Sequence, residues 1–177
     1  STQSRSSAAS DVYKRQMEAF ELAAKQGADG IELDVHVTKD GEVVVTHDEK
    51  IDRVSNGSGF IKDMTLRELK RLSFHNHMES YVGAGIPTLR EVLEYVSTTN
   101  MDVNIELKTG IYWYPQIEEK TAFIVQETGM HDRVIYSSFN HHSIAKIKEI
   151  DSTAETAWLF SDVILDVEKY AKQNGVE

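Results

Sequence analysis

The chain contains no cysteine, no long apolar run and comparatively few basic residues. Without cysteine it can form neither a disulfide framework nor a thiolate metal site, although this absence does not fix the cellular compartment. No stretch reaches the roughly 18 apolar residues of a transmembrane helix, so none is predicted. The 19 Lys and Arg against 29 Asp and Glu give a formal net charge of −10. Because nucleic acid requires a basic surface, this balance argues against such a partner.

The first 16 residues differ in composition from the rest of the chain. They are rich in Ser and Ala, show no apolar periodicity and lack the apolar core of a signal peptide. We therefore interpret residues 1–16 as a non-native or disordered segment, and residues 17–177 as one folded domain. No targeting signal is visible, so a cytoplasmic location is the default expectation. Secretion stays open because the native N-terminus is expected to be absent.

The order of predicted elements indicates an α/β fold. The predicted strands lie at 30–35, 42–47, 102–107, 133–138 and 154–160. The predicted helices lie at 17–26, 116–128, 141–150 and 166–174, and capping boxes at Thr65 and Thr88 mark the start of two more. Strands that alternate with helices predict βαβ units and a parallel sheet. Five strands are too few for a closed (β/α)₈ barrel, so the fold is either a smaller open sheet or an incomplete barrel.

Ionisable residues interrupt three of the apolar strands. In a strand, residues two apart point to the same face, so Glu32 and Asp34 share one face, as do Glu106 and Lys108. His47 ends a further strand. Charges on a buried strand must be paired or bound to a metal. Their expected position at the C-terminal ends of several strands favours the barrel and predicts a divalent-metal site for a phosphate. The acidic balance of the chain is compatible with such an anionic substrate, because a bound cation inverts the local field.

Several segments together resemble the glycerophosphodiester phosphodiesterase family, from about residue 17 to residue 177. No single segment is specific, whereas their order and combination are. The segments that carry the resemblance are G-A-D-G-I-E-L-D-V at 27–35, T-K-D-G at 38–41, H-D at 47–48, I-P-T-L at 86–89 and N-I-E-L-K at 104–108.

The resemblance implies a TIM barrel that hydrolyses small-molecule glycerophosphodiesters to glycerol 3-phosphate and an alcohol. It also implies one divalent cation, Mg²⁺ or Ca²⁺, and two acid/base histidines. Carried over to this chain, Glu32, Asp34 and Glu106 would be the metal ligands and His47 would be one of the two histidines. Lys108 would contact the phosphate of the substrate or support the metal site.

The chain departs from the family pattern at both ends. The strand that ends in His-Arg-Gly in the family has no counterpart, and neither do the last two strands of the barrel. We therefore expect an incomplete barrel whose first strand and last two strands are missing or replaced. Weak or absent turnover follows, because only one catalytic histidine matches. Exposed barrel edges also predict a possible homodimer.

Two other functions compete with this interpretation. The chain could be a non-catalytic fragment that keeps the metal carboxylates but performs no chemistry. It could also be another barrel enzyme that stabilises a metal-held enolate, although that reading leaves T-K-D-G and I-P-T-L unexplained. At the level of single residues, Glu106 and Lys108 could form an ordinary ion pair. His36 shares the parity of Asp34, but it lies at or past the predicted strand end and is expected to be structural.

Other aromatic and histidine residues have weaker signals. His141 and His142 open a predicted helix and are interpreted as capping or surface residues. Tyr112, Trp113 and Tyr114 form an aromatic run before Pro115, and either shape the pocket for the alcohol group or pack against the core. His75 and His77 fall in an irregular stretch and are interpreted as solvated.

Overall fold

The computed structural model describes residues 17–75, 82–163 and 165–174. Its strands are β1 (Gly30–Val37), β2 (Val43–Val45), β3 (Asp102–Leu107), β4 (Val134–Ser138) and β5 (Glu155–Trp158). Its helices are α1 (Met17–Lys25), α2 (Leu66–Leu69), α3 (Leu89–Ser97), α4 (Ile117–Glu127), α5 (His141–Ile150) and α6 (Val167–Gln173). Short 3₁₀ turns occupy Ile61–Asp63 and His131–Arg133.

The five strands form one open sheet in the order β2-β1-β3-β4-β5. The pairs β1–β3, β3–β4 and β4–β5 are parallel, while β2 runs antiparallel to β1 as a hairpin partner. Helices connect the parallel neighbours, as βαβ units require. The predicted α/β class and parallel sheet are therefore confirmed, and within the described residues the sheet does not close on itself.

The hairpin changes the predicted bounds of β1 and β2. The prediction ended β1 at Val35, but the strand continues to Val37 because β2 supplies ladder partners for the last three residues. Conversely, β2 is shorter than predicted and ends at Val45. The chain then leaves the ladder, although the Thr46 N–H still donates to the Asp34 carbonyl at 3.1 Å. His47 therefore lies on a loop just beyond the strand rather than within it.

The main core lies between one face of the sheet and the helices. Alternate residues of β1 and β3, such as Leu33, Val35 and Ile105, are fully buried there. They pack with the apolar face of α3, which contributes Leu93, and with Ile117 of α4. Because side chains alternate across a strand, Glu32, Asp34 and Glu106 point to the opposite face. The helices thus fix the sheet from one side and leave the other side to the charged residues.

A second, smaller apolar cluster supports the long segment between β2 and α3. It consists of Val44, Ile51, Ile61, Leu69, Phe74 and Ile86, all buried. Val44 belongs to it because it points away from the main core, which its neighbours Val43 and Val45 enter. This cluster is the packing that holds the loop carrying His47 against the sheet.

The two predicted capping boxes are present. The Thr65 and Thr88 hydroxyls each accept from the backbone N–H of the glutamate three residues later, and each glutamate accepts from the threonine N–H in return. The first box opens only a four-residue helix, α2. The remaining helices differ from the prediction by one residue at some of their ends. None of the described helices has both the length and the apolar character needed to cross a membrane.

Some sequence predictions lie outside the described residues. These are the nature of residues 1–16 and the role of His77. Self-association through barrel edges stays a prediction; in the described sheet the edge strands are β2 and β5.

Candidate active site

Three carboxylates meet on the face of the sheet that does not contact the helices. Glu32 and Asp34 project from alternate positions of β1, and the register places Asp34 directly beside Glu106 of β3. One carboxylate oxygen from each residue lies within 4.8 Å of the others. Asp34 is fully buried and Glu106 nearly so, whereas Glu32 is exposed. Asp34 and Glu32 lie in the middle of β1 rather than at its end, because the hairpin with β2 lengthens the strand.

Lys108 completes the charge distribution of this cluster. It follows β3 directly, and its Nζ lies 3.0 Å from Glu106 Oε1 and 3.6 Å from Asp34 Oδ1. The ion pair that the sequence left open is therefore formed. The substrate contact proposed for Lys108 stays a prediction. Three carboxylates and one ammonium leave a formal charge of −2, which matches one divalent cation.

The donor set fits a hard cation. Ca²⁺ and Mg²⁺ bind oxygen ligands, and two oxygens on one Ca²⁺ at about 2.4 Å can lie at most about 4.8 Å apart. The three carboxylate oxygens lie within this limit of one another. The exposed Glu32 side of the cluster leaves room for further oxygen ligands. Glu32, Asp34 and Glu106 are therefore suitable ligands for one such ion.

His47 is oriented by a chain of hydrogen bonds on the neighbouring loop. Its Nδ1 lies 2.5 Å from Asp48 Oδ1, and Arg53 Nε donates to Asp48 Oδ2 at 2.7 Å. The imidazole is half exposed, and among the described residues its Nε2 makes no hydrogen bond. Partial burial acts to raise the pKa of Asp48, but the hydrogen bonds from Arg53 and His47 outweigh it and lower this pKa to about 2. Asp48 is therefore ionised at neutral pH and orients the ring.

The loop after His47 has its own internal support. The Ile51 N–H donates to the Gly59 carbonyl, and the carboxylate of Asp52 accepts from the Ser58 hydroxyl and the Gly59 N–H. Gly59 has a φ of 124°, which a residue with a side chain rarely adopts. The glycine conformation lets the loop fold back, so that Ile51 can enter the smaller core.

His36 lies within β1, and not at or past its end as the sequence suggested. It is fully buried, with Nδ1 3.1 Å from the Tyr114 hydroxyl and Nε2 3.3 Å from the His47 carbonyl oxygen. Burial lowers the pKa of His36 to about 4, so the ring is neutral at neutral pH. Because a carbonyl only accepts, Nε2 carries the proton and Nδ1 accepts from the Tyr114 hydroxyl. The expectation of a structural role agrees with these contacts.

The contacts of His141 differ from those that the sequence predicted. His141 was interpreted as a capping or surface residue, but Asn140 caps α5 through its side chain. His141 instead stacks on Trp158, with ring centroids 4.7 Å apart, and its Nδ1 lies 3.2 Å from the Tyr170 hydroxyl. It is part of an aromatic cluster between β5 and α6 because its ring faces inward at the first turn of α5.

The aromatic loop after β3 divides between core and surface. Tyr114 is buried, and Tyr112 packs edge-on against Phe60, with ring centroids 5.7 Å apart. Trp113 is 67% exposed and stacks near His142. Tyr114 therefore packs against the core, as one of the two interpretations expected. The exposed Trp113 is the member of the loop that could still shape a pocket.

Two further residues lie on the carboxylate face, and the sequence analysis assigned a role to neither of them. Asn104 is the β3 neighbour of Glu32, and Ser137 is the β4 neighbour of Glu106. Both place a buried side-chain oxygen on this face without a hydrogen-bond partner. The alternation within N-I-E-L-K places Asn104 on the face of Glu106, whereas placing Ser137 there requires the register between β3 and β4.

Comparisons with known proteins agree with this geometry. The model of the glycerophosphoryl diester phosphodiesterase family matches residues 11–173. Glycerophosphodiester phosphodiesterases of Caldanaerobacter subterraneus subsp. tengcongensis and Bacillus altitudinis are 48% and 46% identical, over 79% and 88% of this chain. The chain spans only 58% and 64% of those relatives.

A solved structure shows the same fold. A phosphodiesterase from Oleispira antarctica, in complex with the product sn-glycerol-3-phosphate, superposes with a TM-score of 0.85 at 25% identity. The match covers 91% of this chain and 66% of that one. The open sheet thus corresponds to part of a TIM barrel, and the predicted incomplete barrel is confirmed. The chain belongs to the glycerophosphoryl diester phosphodiesterase family.

Proposed function

We propose that the chain carries the metal-dependent site of a hydrolase that cleaves small-molecule glycerophosphodiesters to glycerol 3-phosphate and an alcohol. The observation that carries this proposal is the meeting of three carboxylates from two strands, close to a loop that presents an oriented histidine. The family membership and the product complex of the Oleispira antarctica relative support the substrate class.

Phosphodiester hydrolysis requires charge neutralisation and proton transfer. A divalent cation, Mg²⁺ or Ca²⁺, would neutralise the non-bridging oxygens of the phosphate when bound. Glu32, Asp34 and Glu106 would hold it, and Lys108 balances the remaining charge on Asp34 and Glu106. Lys108 is also near enough to the carboxylates to contact a phosphate that binds there.

His47 supplies the proton-transfer group in this proposal. Asp48 engages its Nδ1, so Nε2 is the atom left to exchange a proton with the substrate or the leaving alcohol. The Asp48–Arg53 ion pair keeps Asp48 charged and hence keeps the ring in one orientation. His47 is a catalytic residue in this proposal, and Arg53 is a positioning residue.

Turnover by the chain itself is expected to be weak. The sequence has no His-Arg-Gly segment, so the resemblance supplies His47 but no second acid/base histidine. A positioned acid or base contributes roughly 10²–10⁴-fold to a rate. The second candidate function, a metal-binding fragment without chemistry, rests on this same absence and on the intact carboxylate cluster.

The first experiment measures glycerol 3-phosphate released from glycerophosphocholine and glycerophosphoethanolamine, with Mg²⁺, with Ca²⁺ and with EDTA. We expect slow release that requires a divalent cation and stops in EDTA. Release that continues unchanged in EDTA would contradict the metal-dependent proposal. A folded, metal-binding chain with no release would favour the non-catalytic fragment.

The second experiment tests the metal ligands without relying on turnover. Ligands that bind only the native state raise its unfolding midpoint by mass action. We expect Ca²⁺ or Mg²⁺ to raise the thermal midpoint of the parent chain and to have little effect on Glu106→Gln. Glu94→Gln is the matched control, because Glu94 lies exposed on α3 and its variant should respond like the parent. An equal rise in Glu106→Gln would contradict the assignment.

A further inference from the structure

We propose that His36 and Tyr114 are positioning residues that fix the main chain of His47 and connect it to the aromatic loop after β3. This inference rests on the proposed function of His47. It concerns neither a metal ligand nor a group that touches substrate. Two hydrogen bonds and the burial of the two side chains carry it.

The need for such support follows from where β2 ends. The ladder with β1 stops at Val45, and Thr46 makes the last main-chain hydrogen bond to β1. Among the described residues, no main-chain N–H donates to the His47 carbonyl. His36 Nε2 supplies that donor from within β1. The His36 side chain therefore adds one more hydrogen bond between β1 and the segment after β2, at a point where the main chains no longer pair.

Two contacts with Tyr114 fix the position of the His36 ring. Tyr114 contacts it twice, by the hydroxyl at 3.1 Å from Nδ1 and by an edge-to-face ring contact with centroids 5.7 Å apart. Neither residue is appreciably exposed, so water does not compete for these hydrogen bonds. With Nδ1 engaged, the ring presents Nε2 to the His47 carbonyl in a single orientation.

His47 is consequently held at two points by different elements. Asp48 engages the ring, and His36 engages the main chain. A ring held only through Asp48 could still swing with its own backbone, since Asp48 is the next residue in the chain. The hydrogen bond from His36 removes that freedom. It fixes the position of His47 relative to β1, the strand that carries Glu32 and Asp34.

The connection also reaches the surface loop. Tyr114 lies between β3 and α4, one residue after the exposed Trp113. A displacement of this loop moves the Tyr114 hydroxyl, and the His36 ring is the group that responds. The orientation of His47 is thereby linked to a loop at the rim of the site, without a contact between the two.

The test compares three variants by nuclear magnetic resonance of the folded chain. His36→Phe keeps an aromatic ring of similar size but removes both hydrogen bonds. His36→Gln keeps an amide that can donate to the His47 carbonyl and accept from Tyr114. Tyr114→Phe removes only the hydroxyl. Tyr136→Phe is the matched control, because Tyr136 is similarly buried but lies on the helix-facing side of β4.

We expect His36→Phe to shift the His47 ring-nitrogen resonances and to speed exchange of the Thr46 amide, which donates to the Asp34 carbonyl, about tenfold, the effect of losing one hydrogen bond. His36→Gln should restore both signals to near the parent values. Tyr114→Phe should move them in the same direction by less, and Tyr136→Phe should leave them unchanged. Should His36→Phe fail to fold, the comparison of Tyr114→Phe with Tyr136→Phe decides the question.

Unchanged His47 resonances in folded His36→Phe or Tyr114→Phe would overturn the proposal, and so would equal shifts in Tyr136→Phe. These readouts do not depend on turnover. A parent chain that releases no glycerol 3-phosphate, but whose His47 signals respond as expected, would refute the proposed function and leave the positioning intact. Turnover by the parent chain, without any response of the His47 signals to these substitutions, would refute the positioning role and leave the proposed function intact.

Discussion

Replacing His47 by alanine should lower the release of glycerol 3-phosphate by at least about 100-fold, the lower bound for loss of a positioned acid or base. The expected cause is loss of Nε2, because Nδ1 is engaged by Asp48 and takes no part in proton transfer. The side chain is half exposed, so the substitution should change the free energy of unfolding little. The measurement is initial velocity at saturating substrate and cation.

His131→Ala is the matched control for that substitution. His131 also pairs with a carboxylate, Asp151, at 3.2 Å, but it precedes β4 and lies at the other end of that strand from Ser138. Its removal should leave the velocity at the parent level. A velocity of His47→Ala within tenfold of the parent would refute the catalytic role assigned to His47.

Replacing Lys108 by methionine should destabilise the chain by about 3 kcal/mol when no divalent cation is present, as expected for removal of one partner from a largely buried ion pair. The ammonium lies within 3.6 Å of two carboxylates, of which Asp34 is fully buried. Without it, the repulsion among the three carboxylates is no longer offset. A saturating divalent cation should recover most of the loss, because it restores positive charge to the same place.

Urea unfolding in EDTA and in excess Ca²⁺ measures both parts of this expectation. Lys70→Met is the control, since Lys70 pairs with Glu91 at 2.7 Å but both side chains are at least one-third exposed. Exposed pairs contribute less than about 1 kcal/mol, and this one should not respond to cation. Equal stability of Lys108→Met and the parent in EDTA would contradict the assignment, as would a loss that Ca²⁺ does not recover.

The alternation of side chains in β1 and β3 was sufficient to predict which face carries the charges. Parity placed Glu32 with Asp34 and Glu106 with Lys108, and the family resemblance assigned the three carboxylates to one metal. The register of β1 on β3 brings the three together. The end of β1 could not be predicted, because the ladder at Val37 depends on a partner strand and not on local sequence. The same reason explains why His36 was placed outside the strand.

Contacts between distant elements were the other part that sequence patterns could not supply. The hydrogen bond between His36 and Tyr114 joins residues 78 positions apart, and no periodicity links β1 to the loop after β3. The role of Arg53 is more local, but it depends on a loop that folds back through Gly59. His141 illustrates the opposite error, in which a polar residue at a helix start packs into an aromatic cluster instead of facing water.

The candidate site is supported by two apolar clusters of unequal size. The carboxylates stand on strands fixed by the larger cluster, whereas the loop of His47 depends on the six residues of the smaller one. Segments with few buried contacts open locally at a lower free energy than the core. An excursion that releases the smaller cluster would therefore displace the proton-transfer group while the ion-binding group stays assembled. If the proposed function holds, cation affinity and catalytic competence would therefore depend on different parts of the core and could be lost separately.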